Sequence, residues 1–203
     1  MYHPGNMVEQ PTQVPEDVLA AGQRAIAKFG YHGATAERIA DEAGVSRVTL
    51  HRRGVTKESI LAELSRRAID SYREALWPAL TSEGSGAERL RSALGALCKE
   101  AEANLALLVA LRSQTDAVFH ESGPEAMTRS VFTQPLERLL RDGAADGSLR
   151  VVDFEEVATV LFNLVGWTYM HLRTGHGWPP ERASRHLISL AVDGLVPCED
   201  GGK

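Results

Sequence analysis

Apolar residues recur every three or four positions along most of this 203-residue chain, which is the spacing that gathers them on one face of an α-helix. One such stripe predicts a helix over residues 15–29, with Pro15 suited to its first position. A longer stripe, from Ile60 to Leu76, predicts a helix over residues 56–77. No stretch of useful length alternates apolar and polar residues, so the pattern predicts an all-α fold of about nine helices.

Two short helices are predicted between these long ones, each preceded by a residue that can cap it. Thr35 can bind the first turn of a helix that Gly44 ends. Ser46 can do the same for a helix over about residues 47–53, which Gly54 ends. Two short helices joined by a tight turn form a helix-turn-helix, whose second helix can lie in the major groove of DNA.

The helical pattern continues through the rest of the chain, after a loop at Pro78 and residues 81–86 and with a turn-rich break at residues 143–149. The further helices are predicted over about residues 87–104, 105–119, 124–142, 154–173 and 180–194. The parts expected are therefore a flexible arm (1–14), a helix-turn-helix domain (15–57), and a larger helical domain (58–203) that the helix at 56–77 connects to it.

Charge is distributed unevenly along the chain, and this distribution indicates what kind of molecule the protein binds. The net charge is −5, and all of it comes from the part after Ala75, because the first 75 residues carry ten basic and ten acidic side chains. Within that neutral part, residues 44–57 hold three arginines and one lysine with no acid. A local basic patch on an acidic chain favours a protein that contacts DNA at one place only.

The overall composition, with 43% apolar and 24% charged residues, is that of an ordinary globular protein. No apolar run approaches the roughly 18 residues that a membrane span needs. Residues 1–15 lack the pattern of a signal peptide, so we expect a cytoplasmic protein. Cys98 and Cys198 are far apart and neither belongs to a CxxC pair, which favours packing and tail positions over a metal or redox role. We expect no metal and no cofactor.

An enzyme is the main alternative class, and the sequence offers little for it. Asp153, Glu155 and Glu156 lie at a predicted helix start, where acidic side chains stabilise the helix dipole. His171 and His176 are five positions apart rather than four, and the chain has neither a phosphate-binding glycine loop nor a nucleophile elbow. We therefore expect no catalytic residues.

The segment from Val18 to Leu61 resembles the signature of the TetR family of transcriptional regulators. The residues that carry the resemblance by their order and spacing are Phe29, Gly33, Thr35, Ile39, Ala40, Ala43, Gly44, Val45, Ser46, Thr49, Leu50, Lys57 and Glu58. The resemblance implies a homodimer that binds double-stranded operator DNA and represses transcription until a small-molecule effector releases it. A DNA-binding regulator without a ligand is the alternative.

One stretch departs from the family pattern, which usually has aromatic residues after the Thr-Leu pair. This chain has His51, Arg52, Arg53 and Gly54 there. An imidazole replaces a tyrosine that would contact phosphate, and Gly54 replaces a core phenylalanine. We expect the recognition helix to end early at Gly54, while the two arginines add positive charge.

The resemblance implies DNA-contact roles for two sets of side chains. The residues expected to read base edges are Arg47, Val48, His51 and Arg52. The residues expected to contact phosphates are Thr35, Ser46, Thr49, Arg53 and Lys57. The alternatives are helix capping for Thr35 and Ser46, a solvated face for Arg52 and Arg53, and local packing for His51.

The last two predicted helices carry apolar residues on more than one face, which predicts two packing partners. One partner would be the subunit's own core and the other a second subunit, while the alternative is that one chain buries both faces. The residues that the resemblance implies for a dimer interface are Leu161, Val165, Gly166, Tyr169, Leu187, Ile188, Ala191 and Leu195.

The helices predicted between residues 87 and 142 carry apolar residues with a few polar ones among them. A sensor pocket has this composition, and so does an ordinary core. The candidate ligand contacts are Leu94, Leu97, Leu108, Arg112, Phe119, Asn163, Trp167 and His171. We expect the helix at 56–77 to transmit ligand binding, because it joins the DNA-binding part to the larger domain.

Overall fold

The structure is a computed structural model that describes residues 14–112 and 129–197. Within these ranges the chain forms nine α-helices and one π-helical turn and contains no strand, which confirms the predicted all-α fold. In chain order the elements are α1 (Glu16–Gly33), α2 (Ala36–Ala43), α3 (Arg47–Arg52), α4 (Lys57–Thr81), α5 (Gly86–Ala103), α6 (Leu105–Arg112), the π-helical turn (Arg129–Thr133), α7 (Gln134–Ala145), α8 (Phe154–Thr174) and α9 (Pro180–Asp193).

The chain divides into two compact units, Met1–Arg67 and Ala68–Lys203, named here the N-terminal unit and the C-terminal unit. Their boundary falls inside α4, later than the boundary at residues 57 and 58 that the sequence suggested. The expected arm, except for Val14, and residues 113–128 of the predicted helices lie outside the described residues. Among the helices that are described, none combines the length and the apolar character needed to cross a membrane.

Hydroxyl side chains begin α2, α3 and α4, and the sequence predicts the first two of these caps. Oγ1 of Thr35 accepts a hydrogen bond from the backbone N–H of Arg38 at 3.3 Å, and Oγ of Ser46 accepts one from Thr49 at 3.1 Å. Before α4, Oγ1 of Thr56 accepts from the N–H of Ser59 at 3.0 Å. These bonds satisfy N–H groups that the first turn of a helix cannot pair internally.

Apolar side chains from each helix of the N-terminal unit meet in one core. The buried members include Val18, Leu19, Ala25, Ile26, Ile39, Ala40, Leu50, Val55, Ile60 and Leu64. Gly22 allows α1 to approach α4 closely, because a Cβ there would lie 2.5 Å from Cγ2 of Ile60. The core therefore holds α3 by its inner face and leaves the opposite face at the surface.

Two helices run further than the apolar pattern predicts. The main part of α1 stops at Gly30, whose φ of 69° is non-helical, but a further turn continues to Gly33. Helix α4 passes through Pro78, where the sequence predicted a loop, and ends at Thr81. Proline removes one helical hydrogen bond, but burial of Leu76 and Ala79 on the same helix favours its continuation.

The core of the C-terminal unit is built around α5, which packs against α7, α8 and α9. Its most deeply buried side chains include Leu90, Leu94, Leu136, Leu139, Leu140, Ala158, Val165, Tyr169, Ala183 and Val192. Each of these four helices presents one continuous apolar face to this core, in agreement with the periodicity of the sequence. Burial of this core is the main stabilising contribution to the unit.

The start of α5 crosses the end of α7 at two glycines. A Cβ at Gly86 would lie 2.2 Å from the backbone N and Cα of Gly143, so neither helix has room for a side chain there. The N–H of Gly86 donates to a carboxylate oxygen of Asp146 at 2.7 Å, and the N–H of Ala87 donates to the hydroxyl of Ser148 at 3.0 Å. The segment after α7 thus caps α5, a role that the predicted turn-rich break did not reveal.

Candidate functional site

Helix α3 is short because a left-handed glycine ends it. Gly54 has a φ of 66°, its N–H donates to the carbonyl of His51 at 3.0 Å, and the N–H of Val55 donates to the carbonyl of Leu50 at 3.2 Å. This pair of bonds is a Schellman motif, which favours glycine because it lacks a Cβ. Leu50 and Val55 are both buried, and they supply the apolar contact that accompanies the motif. The early end expected at Gly54 therefore has a local cause.

The outer face of α3 presents four side chains to solvent. Arg47, Val48, His51 and Arg52 are all exposed. Val48 is 76% exposed, whereas Leu50 on the inner face is only 3% exposed. Val48 is therefore an apolar side chain held out of the core on a helix that also exposes two arginines and a histidine. The structure brings together at the surface all four residues expected to read bases.

Arg47 and Arg52 form no ion pair with any residue in ranges 14–112 and 129–197. Arg53 lies next to them, and its Nη1 is 3.8 Å from a carboxylate oxygen of Asp17 on α1. Such an exposed, long contact is weak. The positive charge of this face is thus largely uncompensated, as a surface that meets phosphates requires.

The other residues expected to contact phosphate flank α3. Thr35 and Ser46 are exposed and serve as caps, and the hydroxyls of Ser46 and Thr49 lie 2.9 Å apart in a hydrogen bond. The Lys57 ammonium donates to the carbonyl of Tyr31 at 3.3 Å and lies 4.1 Å from the centre of its ring. Lys57 therefore also ties α4 to α1, a role that its position in the sequence did not indicate.

Five of the eight residues expected at a dimer interface belong instead to the core of the C-terminal unit. They are Leu161, Val165, Tyr169, Leu187 and Ala191. A side chain enclosed by its own subunit has no surface left for a second one. Gly166, Ile188 and Leu195 are half-buried. The exposed apolar residues on the same two helices are Val160, at 61%, and Leu190, at 71%.

The residues expected to contact a ligand differ widely in burial. Leu94 and Leu97 are buried, Leu108 and Trp167 are half-buried, and Asn163 and His171 are exposed on α8. Phe119 lies outside the described residues, as does the side chain of Arg112. The two polar candidates that are described, Asn163 and His171, therefore face away from the core.

Two tyrosines bring polar hydroxyls into the core, a role that the sequence analysis did not predict for them. The hydroxyl of Tyr169 donates to Glu102 at 2.9 Å, and the same carboxylate accepts from Nε and Nη2 of Arg173, each at 2.7 Å. Arg173 holds the pKa of the Glu102 carboxyl below its ordinary value. Tyr72, on α4, contacts the ring of Phe132 with 5.1 Å between ring centres. The periodicity of apolar residues does not show how side chains pack, so the sequence could not distinguish the role of Tyr169 from that of Tyr72.

Two family models match the chain. The model described as bacterial regulatory proteins of the tetR family matches residues 18–64. The model described as the tetracyclin repressor-like C-terminal domain matches residues 83–195, which is more than half of the chain. A comparison with curated protein sequences found no match.

Solved structures with the same fold cover nearly the whole chain. PfmR, a TetR family transcriptional regulator from Thermus thermophilus, is 22% identical with a TM-score of 0.70, over 89% of this chain and 99% of that one. A bacterial regulatory protein in the tetR family from Rhodococcus RHA1 is also 22% identical at 0.70, over 90% and 97%. FadR from Bacillus subtilis, in complex with stearoyl-CoA, is 18% identical at 0.68, over 88% and 98%.

These identities show the fold, while the family models show the relationship. The first model covers the helix-turn-helix and its exposed basic face, and the second covers nearly all of the C-terminal unit from α5 to α9. The chain therefore belongs to the TetR family of DNA-binding transcriptional regulators.

Proposed function

We propose that this regulator is a homodimeric repressor that binds a near-palindromic operator through α3 and leaves it when a small apolar effector binds the C-terminal unit. The observation that carries the DNA-binding part is the outer face of α3, where Val48 and three basic side chains stand in solvent around a buried Leu50. A face of this shape and charge fits the major groove, which is about 12 Å wide.

The base-reading roles follow from the chemistry of each exposed side chain. The guanidinium groups of Arg47 and Arg52 stand in solvent and can pair with O6 and N7 of guanine. Val48 can contact a thymine methyl group, and His51 lies one turn after Arg47 on the same side of α3. Together they form a reading surface for a few adjacent base pairs.

The phosphate-contact roles belong to the flanks of this surface. The Thr35 and Ser46 hydroxyls each lie at the start of a helix, where backbone N–H groups also favour an anion. Arg53 can exchange its long contact with Asp17 for a phosphate. The Lys57 ammonium has three hydrogens, so it can bind a phosphate while it remains on the Tyr31 carbonyl.

A second subunit would cover the outer face of α8 and α9. Gly166 lies within α8, and a Cβ there would meet no atom of the described chain within 4 Å. Glycine within a helix costs about 1 kcal/mol relative to alanine, so a partner helix approaching at this point would account for its presence. Val160 and Leu190 supply exposed apolar area on the same two helices. Two-fold pairing would place two α3 helices about 34–36 Å apart, the spacing of successive major-groove faces.

Release by an effector requires that the ligand bind one state of the dimer more tightly than the other. A hundredfold loss of operator affinity corresponds to about 2.7 kcal/mol of differential ligand binding. FadR from Bacillus subtilis, which shares the fold, is a complex with stearoyl-CoA. Its ligand supports an effector with a long hydrocarbon part for this chain also.

Selection of bound sites from a random pool of duplexes tests the DNA-binding roles. Arg47→Ala should relax the preference at one base pair of each half-site, because it removes a base contact. Arg53→Ala, a matched change six residues later, should weaken all duplexes alike and reduce the slope of log affinity against log salt by about 1. Equal losses on every duplex for both variants would contradict the division between base and phosphate contacts.

Repression and release are tested by titrating the selected duplex with and without stearoyl-CoA. Binding that weakens in its presence, together with a rise in reporter expression when the gene for the regulator is deleted, supports the proposal. An operator affinity that no apolar ligand changes would favour the ligand-independent regulator instead.

A further inference from the structure

The hydroxyl of Tyr72 is buried in the C-terminal unit and has no hydrogen-bond partner among the residues that the structure describes. The residue is 2% exposed, so this hydroxyl is shielded from bulk solvent. Burial raises the pKa of Tyr72 well above its ordinary value, so the group stays protonated and remains a donor at neutral pH. Buried hydroxyls in native proteins nearly always have a partner, because leaving one unpaired is destabilising.

The same unit pairs its other buried tyrosine fully. Tyr169 is as deeply buried as Tyr72, and its hydroxyl donates to Glu102, which Arg173 holds in place by two further bonds. The hydroxyl of Tyr169, which has a structural role, therefore has its hydrogen-bond partner within this core. The Tyr72 hydroxyl differs from it in that ranges 14–112 and 129–197 offer it no acceptor.

Two aromatic rings from other elements lie in series beside the ring of Tyr72. The Phe132 ring lies 5.1 Å from that of Tyr72, and Phe162 on α8 stacks on Phe132 at 4.9 Å between ring centres. Phe132 lies in the π-helical turn Arg129–Thr133, which directly precedes α7. π-Helical turns are rare, and they occur frequently at functional sites. A hydroxyl that lacks an acceptor among the described residues thus lies next to a π-helical turn and two stacked phenylalanine rings.

On the basis of the proposed release by an effector, we propose that Tyr72 is the polar anchor of the effector site. Its hydroxyl would donate to one uncharged acceptor of the ligand, the oxygen of a ketone, ester or thioester carbonyl. Phe132 and Phe162 would contact the hydrocarbon part of the same molecule. A carboxylate is disfavoured at this point, because a charge beside aromatic rings needs a cationic partner and Arg173 is committed to Glu102.

The test uses Tyr72→Phe, which removes only the hydroxyl oxygen, and two probes that differ in a carbonyl. The probes are 2-undecanone and undec-1-ene, and their affinities for the full chain are measured by titration calorimetry. The wild-type protein should bind 2-undecanone about tenfold more tightly, as one hydrogen bond to a neutral acceptor allows. Tyr72→Phe should lose this tenfold preference while it keeps its affinity for undec-1-ene.

Thermal melting without ligand supplies a second measurement, which distinguishes a ligand anchor from a tyrosine that only stabilises the fold. Tyr72→Phe should melt at or above the wild-type temperature, because the variant no longer buries an unpaired hydroxyl. Tyr169→Phe is the matched control and should melt lower, since it leaves Glu102 with one donor fewer, while the preference for 2-undecanone remains. A Tyr72→Phe variant that melts several degrees lower, or that keeps the tenfold preference, would overturn the proposal, as would a wild-type protein that binds neither probe.

The operator titration separates this inference from the proposed function. If Tyr72→Phe loses the preference for the carbonyl but 2-undecanone leaves operator binding unchanged, the anchor stands and the release mechanism is refuted. If 2-undecanone releases the wild-type protein and Tyr72→Phe equally at the same concentration, the release mechanism stands and the anchor is refuted.

Discussion

The crossing of α5 and α7 at Gly86 and Gly143 allows a stability prediction with an internal control. Substitution of Gly86 by alanine would place its Cβ 2.2 Å from two backbone atoms of Gly143 and 2.9 Å from the carbonyl carbon of Asp142. A side chain can relieve such a clash by changing its rotamer, but backbone atoms cannot. The two helices must therefore move apart. We expect Gly86→Ala to destabilise the C-terminal unit.

The magnitude follows from two opposing contributions. Overpacking of a closely packed contact costs about 1–3 kcal/mol, and the collision with backbone places this case at the upper end. Alanine recovers up to about 1 kcal/mol through its higher helix propensity. The net loss is therefore about 2 kcal/mol, and it should lower the melting temperature by roughly 4–8 °C in a protein of this size.

Gly95→Ala, on the same helix, is the matched control. Its Cβ would lie 3.9 Å from Cδ1 of Ile188, which is an ordinary contact. The helix propensity then acts alone, so this variant should gain up to about 1 kcal/mol and melt roughly 2–4 °C higher. Both variants are compared with the wild type by circular dichroism at 222 nm and by calorimetry. If Gly86→Ala melts within a degree of the wild type, or if Gly95→Ala falls as far, the close crossing does not govern stability.

Three further predictions concern α3, α8 and the Glu102 cluster. Gly54→Ala should destabilise the N-terminal unit by about 1–2 kcal/mol in urea titrations, because its φ of 66° disfavours a Cβ, whereas Gly54→Asn should cost less. Gly166→Ala should weaken dimerisation in sedimentation equilibrium if a partner approaches there, and a more stable dimer would remove that argument. Glu102→Gln should reduce stability at pH 7. Since the pKa of Glu102 in the folded protein is below its ordinary 4.5, the difference from wild type should persist above pH 4.5 and shrink as the pH falls below it. A difference that grows in acid would contradict the pairing with Arg173.

The sequence predicted well those features that depend on a few neighbouring residues. Thr35, Ser46 and Thr56 begin helices because each hydroxyl accepts a hydrogen bond from the N–H three residues later. This spacing can be read directly from the sequence. Gly54 ends α3 for an equally local reason. The helix-turn-helix and its exposed basic side chains were therefore predictable.

Features that depend on distant packing were not predictable in the same way. Helix α4 continues through Pro78 because burial around it outweighs the lost hydrogen bond, and propensity alone contains no such information. Periodicity indicated that α8 has several apolar positions, but it could not show that Leu161 and Tyr169 face the subunit's own core while Val160 faces solvent. That the Tyr72 hydroxyl has no partner in the described part of the chain is a property of the folded interior only.

The shortness of α3 limits how much of an operator the protein can read directly. A helix of 6 residues is about 9 Å long at 1.5 Å per residue, and base pairs are stacked about 3.4 Å apart. One α3 helix therefore spans roughly two or three stacked base pairs. In the proposed binding mode, base pairs outside this span would be discriminated by how readily the duplex bends or narrows, and not by hydrogen bonds from α3.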